Sequence, residues 1–448
     1  MTGATKYRIK RWLIILAAFI IVVALSIFSV IVVVRNEQKL EEQLEMERQE
    51  QLIESSEPAD EIGSSATGTG ATGNDNSESG KTETGISETS SAEEIIVEEP
   101  EPPHVTLAMV GDVLMHLKVT ESGLMEDGTY NYDHMFANVK DEIEAADLAI
   151  VNQEVILGGK DLGFSGYPMF NTAFEVGDAE AAAGFDVVLH ATNHTMDKGR
   201  QGLLNDMDFW KNNHPEIAVL GINETEEAQD DIFVYEKDGI RIAILNYTYG
   251  LNGMPMPSDM PFAVNLMDEN LMDRNIAKAH EVADFVVVTV HWGNEYQTVE
   301  SENQHMWCEF FLERDVDLVI GAHPHVIQPV EMWVDEEDGD EMLVYYSLGN
   351  FINSTADTGT GVGKRVVGGM AQITISADEE GEPFIEEYGV LPLVTQIEYG
   401  PGKIATYKLE DYTDEMAAAS RMSARDSSFN LEMCKNLCRE VWGDLYKE

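Results

Sequence analysis

The chain has 448 residues, 44% hydrophobic and 25% charged, long enough for two or three domains but uneven along its length. Its 82 acidic residues outnumber 28 basic ones, for a net charge of -54; such a surface repels nucleic acid and other polyanions unless divalent cations intervene. Nucleic-acid binding is therefore not expected, and the three cysteines, Cys308, Cys434 and Cys438, form neither a disulfide framework nor a CxxC zinc motif.

Residues 1–35 carry five basic residues and no acidic one. From Trp12 to Val34 the chain is apolar apart from Ser26 and Ser29. At about 1.5 Å rise per residue this run spans a hydrocarbon core of ~30 Å. A cleaved signal peptide has an apolar region of only about 7–15 residues before a small-residue cleavage site. Here the β-branched run continues to Val34 with no such site, so 1–35 is expected to be a cytoplasmic basic tip and a transmembrane signal anchor. Lys6, Arg8, Lys10 and Arg11 precede the span, which sets the N-terminus inside and residues 36–448 outside. The expected location is the cell membrane, crossed once, with the chemistry on the extracytoplasmic side. ATP is not expected there, and no P-loop pattern occurs.

Residues 36–104 form an expected acidic stalk with 19 acidic and three basic residues, leaving a net -43 for the remainder. The stretch 36–54 holds strong helix formers. Residues 55–104 are rich in Ser, Thr, Gly, Glu and Pro, too polar to offset chain entropy by burial, and read as a disordered spacer.

From Val105 the pattern changes. The runs VTLAMVGD, DLAIVNQE, FDVVLHATNH, IRIAILNY, DFVVVTVHW, VDLVIGAHPH, MLVYYSLGNF and MAQITIS are near-continuous Val, Ile and Leu, as strands buried on both faces require. Between them 135–146, 174–184, 199–212, 268–283 and 302–315 read as helices. The alternation predicts an α/β domain over 105–400, its sheet covered by helices. Residues 401–448 read as a partly helical C-terminal appendage, in which Cys434 and Cys438 are small buried residues.

The chemistry lies in a positional regularity. Nearly every apolar strand ends in a residue suited to metals or proton transfer: Asp112 after 105–110, Asn152-Gln153-Glu154 after 147–151, Asn193-His194 after 185–189, His291 after 285–290, and His323 and His325 after 317–320. Ligands of α/β sheets bind at the carboxyl ends of strands, where loops converge. Carboxylate, amide oxygen and imidazole are ligands for Zn, Mn or Fe ions, and two such ions about 4 Å apart can clamp a phosphoryl group and activate water. Glycines beside Asp112, His291 and His323 permit tight turns near the ions. His190, inside an apolar strand, reads as a satisfied core histidine. His104, His134, His214, His280 and His305 read as surface or locally bonded residues.

The ordered series TLAMVGD (106–112), NQE (152–154), NHTMDKGRQG (193–202), HWGNE (291–295), GAHPHV (321–326) and SLGNF (347–351) resembles the CapA family. That family is named for capsule and poly-γ-glutamate synthesis and lies in the calcineurin-like metallophosphoesterase superfamily. The resemblance covers about residues 105–395. It implies a four-layer αββα sandwich, and two divalent metal ions held by Asp112, Glu154 (a bridging carboxylate, aspartate in most phosphoesterases), Asn193, His291, His323 and His325. It also implies His194 as the general acid that protonates the leaving group, and three residues on, Asp197 is placed to orient and charge-stabilise it. One departure stands out: the superfamily's D-x-H start is broken by Leu114, and His116 is the candidate substitute. The segment NYTYGLNG (246–253) also looks like the family, placing Tyr247, Tyr249 and Asn252 as substrate-pocket residues, with Asn350. Ser347, Gly349 and Asn350 are expected to support a loop under the metals.

The resemblance thus implies a metal-dependent hydrolase-like protein in synthesis, export or attachment of an anionic capsule polymer, partnered by the membrane and by that polymer or its synthesis complex. The alternatives are a secreted phosphoesterase acting on nucleotides or on lipid- or polymer-linked phosphates, and a non-catalytic assembly subunit.

Overall fold

The computed structural model describes residues 103–335, 339 and 341–447. The expected anchor and stalk fall outside the described residues, save for their last two positions. Among the described residues no helix is long and apolar enough to cross a membrane.

Two mixed sheets make up the α/β core. Strands β1 (His104–Val113), β2 (Leu148–Asn152), β3 (Val187–Leu189) and β4 (Ala218–Leu220) run parallel in the first. In the second, β5 (Phe233–Lys237) pairs antiparallel with β6 (Ile240–Thr248), which lies parallel to β7 (Phe285–His291). Next comes β8 (Leu318–Ala322), and the sheet closes with β9 (Val330–Val334) antiparallel to β10 (Glu341–Tyr345). The chain then returns to the first sheet. Strand β11 (Asn350–Ile352) pairs with the end of β1, and β12 (Val367–Ala377), β13 (Pro383–Ile397) and β14 (Ile404–Lys408) extend it antiparallel. The strand orders are β14-β13-β12-β1-β2-β3-β4 and β5-β6-β7-β8-β10-β9.

The continuous apolar runs are explained by burial on two faces. In the second sheet Ile242, Ile244, Phe285, Val287, Leu318, Ile320 and Leu343 join one core with Leu107, Met109 and Ile150 of the first sheet. Their neighbours Ala243, Leu245, Val286, Val288, Val319 and Val344 form a separate core. The period of two along each strand thus sends alternate residues to opposite sides, and both sides are dry. That second core is completed by two helices, Glu269–Val282 and Glu302–Leu312, through Leu271, Met272, Ile276, Cys308 and Phe311. Asp268 caps the former by accepting from Asn270 N and Leu271 N, and Ser301 with Gln304 forms a capping box on the latter.

The helices expected at 174–184, 199–212, 268–283 and 302–315 occur as Glu175–Ala183, Gly199–Asn213, Glu269–Val282 and Glu302–Leu312. The stretch 135–146 is less regular: a 3₁₀ turn at Asp133–Met135 and a short helix at Lys140–Glu144. Residues 401–448, expected as an appendage, add β14 to the sheet and place Met422, Phe429, Cys434, Leu437, Cys438 and Trp442 in the main core. Trp442 Nε1 donates to Gln328 O at 3.2 Å, and the cysteines are free and buried.

A polar knot lies under the strand that carries Asn193. Glu180, His190, Asp206 and Trp210 meet there, all buried. Trp210 Nε1 donates to His190 Nε2 at 3.2 Å, and burial lowers the imidazole pKa to about 3, so His190 is the satisfied core histidine its setting predicts. Burial lifts Asp206 to about 8 and, with Asp206 beside it, holds Glu180 well above the carboxylate range. An acid with a raised folded pKa binds its proton more tightly in the native state. Its stabilising effect is full below the unfolded value of about 4 and is lost as pH climbs through the folded value. Asp206→Asn stays neutral throughout and is expected to flatten the fall in stability between pH 5 and 8. Denaturant unfolding at pH 5, 7 and 8.5 checks this; parallel pH curves for variant and wild type would refute it.

Candidate metal centre

The parallel strands of both sheets deliver their carboxyl ends to one place. Asp112 ends β1, Glu154 follows β2, Asn193 and His194 follow β3, His291 ends β7, and His323 and His325 follow β8. All seven are buried. Close approach of the backbones makes this convergence feasible. At Gly111 a Cβ would sit 1.9 Å from Gly349 O, the carbonyl that accepts from Asp112 N at 3.0 Å. At Gly321 a Cβ would sit 2.1 Å from Tyr346 O. These glycines therefore serve strand-to-strand contact more than turns, and the left-handed backbone is taken by the ligands themselves: φ is 96° at His323 and 57° at His325.

Asp112 is the most heavily bonded acid. Its Oδ1 accepts from Asn152 Nδ2 at 2.8 Å, its Oδ2 lies 3.1 Å from His325 Nδ1, and His323 N is 3.3 Å from both oxygens. His325 Nδ1 also lies 3.1 Å from Asn350 Oδ1, while Asn350 Nδ2 donates to His325 O and to Arg365 O. Both neighbours of that nitrogen are acceptors, so Nδ1 carries the proton and Nε2 is the donor left for a cation. Burial disfavours the His325 cation, but the Glu154 and Asp112 carboxylates outweigh it and raise its pKa to about 10.

Glu154 is the reverse of Asp112. It is fully buried, and neither oxygen has a hydrogen-bond partner among the described residues. Its Oε1 lies 3.7 Å from His291 Nε2, 3.7 Å from His325 Nε2 and 3.9 Å from His194 Nε2. Desolvation raises its carboxyl well above the usual range, and burial lowers His291 and His323 well below theirs. His291 Nδ1 and His323 Nδ1 are buried without partners, and His291 Nε2 lies 3.0 Å from Asn193 Oδ1. Buried polar atoms are almost always paired, so four orphans in one cluster need a missing partner. All four can donate an electron pair, and a divalent cation would satisfy them together. Ligand atoms of Glu154, His291 and His323, and of Asp112, Glu154 and His325, lie within 4.8 Å of one another.

His194 and Asp197 meet as expected. His194 Nδ1 lies 2.7 Å from Asp197 Oδ2, which also accepts from Phe170 N at 2.7 Å. The Phe170 ring packs edge-on against His194 at 4.7 Å. His116 is not among the converging donors. Its Nδ1 accepts from Ser354 N at 3.3 Å, its ring meets Phe170 edge-on at 5.5 Å, and burial lowers its pKa to about 3. Leu114 is buried beside it on a pocket wall shared with His194 and His325.

Among the expected pocket residues, Tyr249 is 46% exposed and its ring lies 4.7 Å from His323, at the mouth of the site. Asn252 joins Tyr249 OH at 3.3 Å to Asn193 Nδ2 at 3.5 Å. Asn350 is a support for His325. Tyr247 is elsewhere: fully buried, it packs in the core behind the second sheet with Leu271 and Met272. β6 ends at Thr248, so Tyr249 lies beyond the strand and escapes the period of two that would otherwise put it on the face of Tyr247. Ser347 and Gly349 hold the loop, with Ser347 Oγ donating to Val326 O and Gly349 N donating to Ser347 Oγ. Residue-by-residue reasoning missed Glu295, Tyr296 and Arg365, and named Asn152 as a strand-end amide without its role as donor to Asp112. Asn152 and Glu295 were in the NQE and HWGNE motifs; nothing local marks Arg365, whose guanidinium lies 3.5 Å over the Tyr296 ring.

An α/β sandwich with clustered carboxylate and imidazole donors for divalent cations is the class that fold and site define. The family model described as "Bacterial capsule synthesis protein PGA_cap" matches residues 106–355, and the chain belongs to that family. It is 27% identical over 265 residues to a capsule biosynthesis protein CapA of Bacillus anthracis, covering 57% of this chain and 61% of the relative. It is 30% identical over 169 residues to a PGA biosynthesis protein CapA of Bacillus subtilis (strain 168), covering 38% of this chain and 42% of the relative. The match thus spans less than two thirds of either relative. Among solved structures it is similar to a putative 5'-nucleotidase from Staphylococcus aureus, at TM-score 0.39 and 16% identity over 64% of this chain and 54% of that one. It is also similar to the NAD nucleotidase of Haemophilus influenzae, at TM-score 0.42 and 11% identity over 77% and 65%.

Because Asn350 holds His325 at the ring through Oδ1 and at the backbone carbonyl through Nδ2, Asn350→Ala is expected to lower affinity for Mn²⁺ by about 10–100-fold, the usual cost of losing a supporting partner. Calorimetric titration checks this, with circular dichroism confirming the fold; unchanged affinity would show that Asn350 plays no part in holding the ligand.

Proposed function

We propose that this chain is an extracytoplasmic, membrane-anchored protein of capsule-polymer production, with a metal-dependent phosphoesterase-like hydrolase site in a four-layer αββα sandwich. The polymer is anionic, of poly-γ-glutamate type, and the work is its synthesis, export or attachment, in contact with the membrane and the polymer or its synthesis complex. The family and the CapA relatives support the capsule role. The apolar run from Trp12 to Val34, with basic residues before it, supports the anchor.

The observation that carries the hydrolase reading is the His194–Asp197 pair beside an unpartnered Glu154. Asp112, Glu154, Asn193, His291, His323 and His325 would hold two divalent ions, Mn, Zn or Fe. Bound there, such ions polarise a phosphoryl oxygen and lower the pKa of water. The protein's own part is orientation and proton transfer. Asp197 accepts the Nδ1 proton of His194 and is itself held by Phe170 N, so Nε2 faces Glu154 and the reaction space. A protonated Nε2 there can give its proton to a departing alkoxide. Phe170 walls the imidazole, keeping one ring orientation. In a domain so acidic, an anionic substrate is met by the bound cations and by Arg365 on the pocket wall.

A second reading, binding of the polymer without turnover, is favoured by one observation: the superfamily's histidine position is filled by buried Leu114.

Phosphodiester hydrolysis by the purified chain in Mn²⁺ is expected, abolished by Asp112→Ala and His323→Ala. His194→Ala should lower kcat by about 10²–10⁴-fold, the usual worth of a general acid, while Mn²⁺ binding persists. Metal binding without turnover in the wild type favours the second reading, and no metal binding sinks both. Deletion of the gene is expected to reduce surface polymer; unchanged polymer rejects the capsule role and leaves a secreted phosphoesterase.

A further inference from the structure

We propose that Glu295 is a metal ligand of this site, supplying the donor lost at Leu114. The inference rests on the metal centre proposed above and adds a residue to it. A carboxylate oxygen of Glu295 and a ring nitrogen from each of His323 and His325 lie within 4.8 Å of one another. His323 is 3% exposed and its Nδ1 has no partner among the described residues. Asp112, Glu154 and His325 alone offer one ion three protein donors, fewer than the four to six that Zn²⁺ or Mn²⁺ ordinarily takes. Leu114 is hydrocarbon and lines the same pocket as Glu295 and His325.

Although Glu295 is exposed, its backbone is tied to the ligand loop. Tyr296 N donates to Pro324 O at 2.7 Å, between the two histidines. The Arg365 guanidinium lies 3.5 Å over the Tyr296 ring, and Arg365 O accepts from Asn350, the support of His325. Farther along, Gln328 Nε2 donates to Gln297 O and Val299 O, both at 2.9 Å. The backbone that carries the carboxylate is thus fixed beside the histidine loop before any ion arrives, which is how a ligand on a loop gains affinity.

The test is a Mn²⁺ titration of the full-length wild type and Glu295→Gln, counting free ion by electron paramagnetic resonance and bound ion by elemental analysis. The wild type is expected to bind two ions. Glu295→Gln should keep one at unchanged affinity and bind the other at least about 10-fold more weakly. The substitution is at an exposed position and does not threaten the fold. Two ions of unchanged affinity on Glu295→Gln, or one ion on the wild type that the variant retains, overturn the assignment of Glu295 while leaving the metal centre in place. No ion on the wild type overturns both.

Discussion

Two carboxylates, Asp112 and Glu154, are buried without exposure where the carboxyl ends of both sheets meet. Removing such a charge from water costs several kcal/mol even after relaxation, so each must be compensated or neutralised. Asp112 is compensated within the protein, by Asn152, His325 and the His323 backbone. Glu154 is not. Among the described residues none donates to it, and three imidazoles approach it no closer than 3.7 Å. That spacing is too long for a hydrogen bond and leaves room for an ion between the groups. The arrangement of the surrounding loops, with positive φ at His323 and His325, is sustained because both histidines are tied to Asp112.

The same constraint shapes the rim. Tyr249 lies over His323, Phe170 against His194, and Tyr296 6.0 Å from His325. These rings limit solvent around the histidines and lower the local dielectric, which strengthens every charge interaction within. An acidic domain surface beyond the rim favours accumulation of divalent cations over anions. Charge and site therefore point the same way: a surface that would repel polyanions would also draw divalent cations toward donors able to hold them.

Legibility in the sequence followed burial. β1, β2, β6, β7, β8 and β12 announce themselves because strands dry on both faces must be apolar throughout. β5 (FVYEK) and β9 (VEMWV) lie at a sheet edge, half-buried, and their mixed composition carries no such signal. β4 has three residues, and β13 is interrupted by Gly389 and Pro392. The packing of residues 401–448 was hidden for a related reason. The amphipathic helix Leu431–Trp442 reads equally well as a local appendage, and only its partners put Cys434, Leu437 and Trp442 in the main core.

The metal centre as a set of strand-end acids, amides and imidazoles was determined by the sequence alone, since strand termini and residue types are local properties. Parity along a strand would put Tyr247 and Tyr249 on one face; they part because β6 ends at Thr248, and only Tyr249 reaches His323. Tertiary structure decided which donors are already satisfied and which are not. Asp112 and Glu154 look alike in sequence, yet one is surrounded by N–H donors and the other by none, because those donors come from Asn152, His323 and His325, up to 213 residues away. It also decided that His116 turns to Ser354, and that Glu295, one residue in an exposed loop, stands beside His323 and His325. Such relations depend on distances across the chain, and no local pattern encodes them.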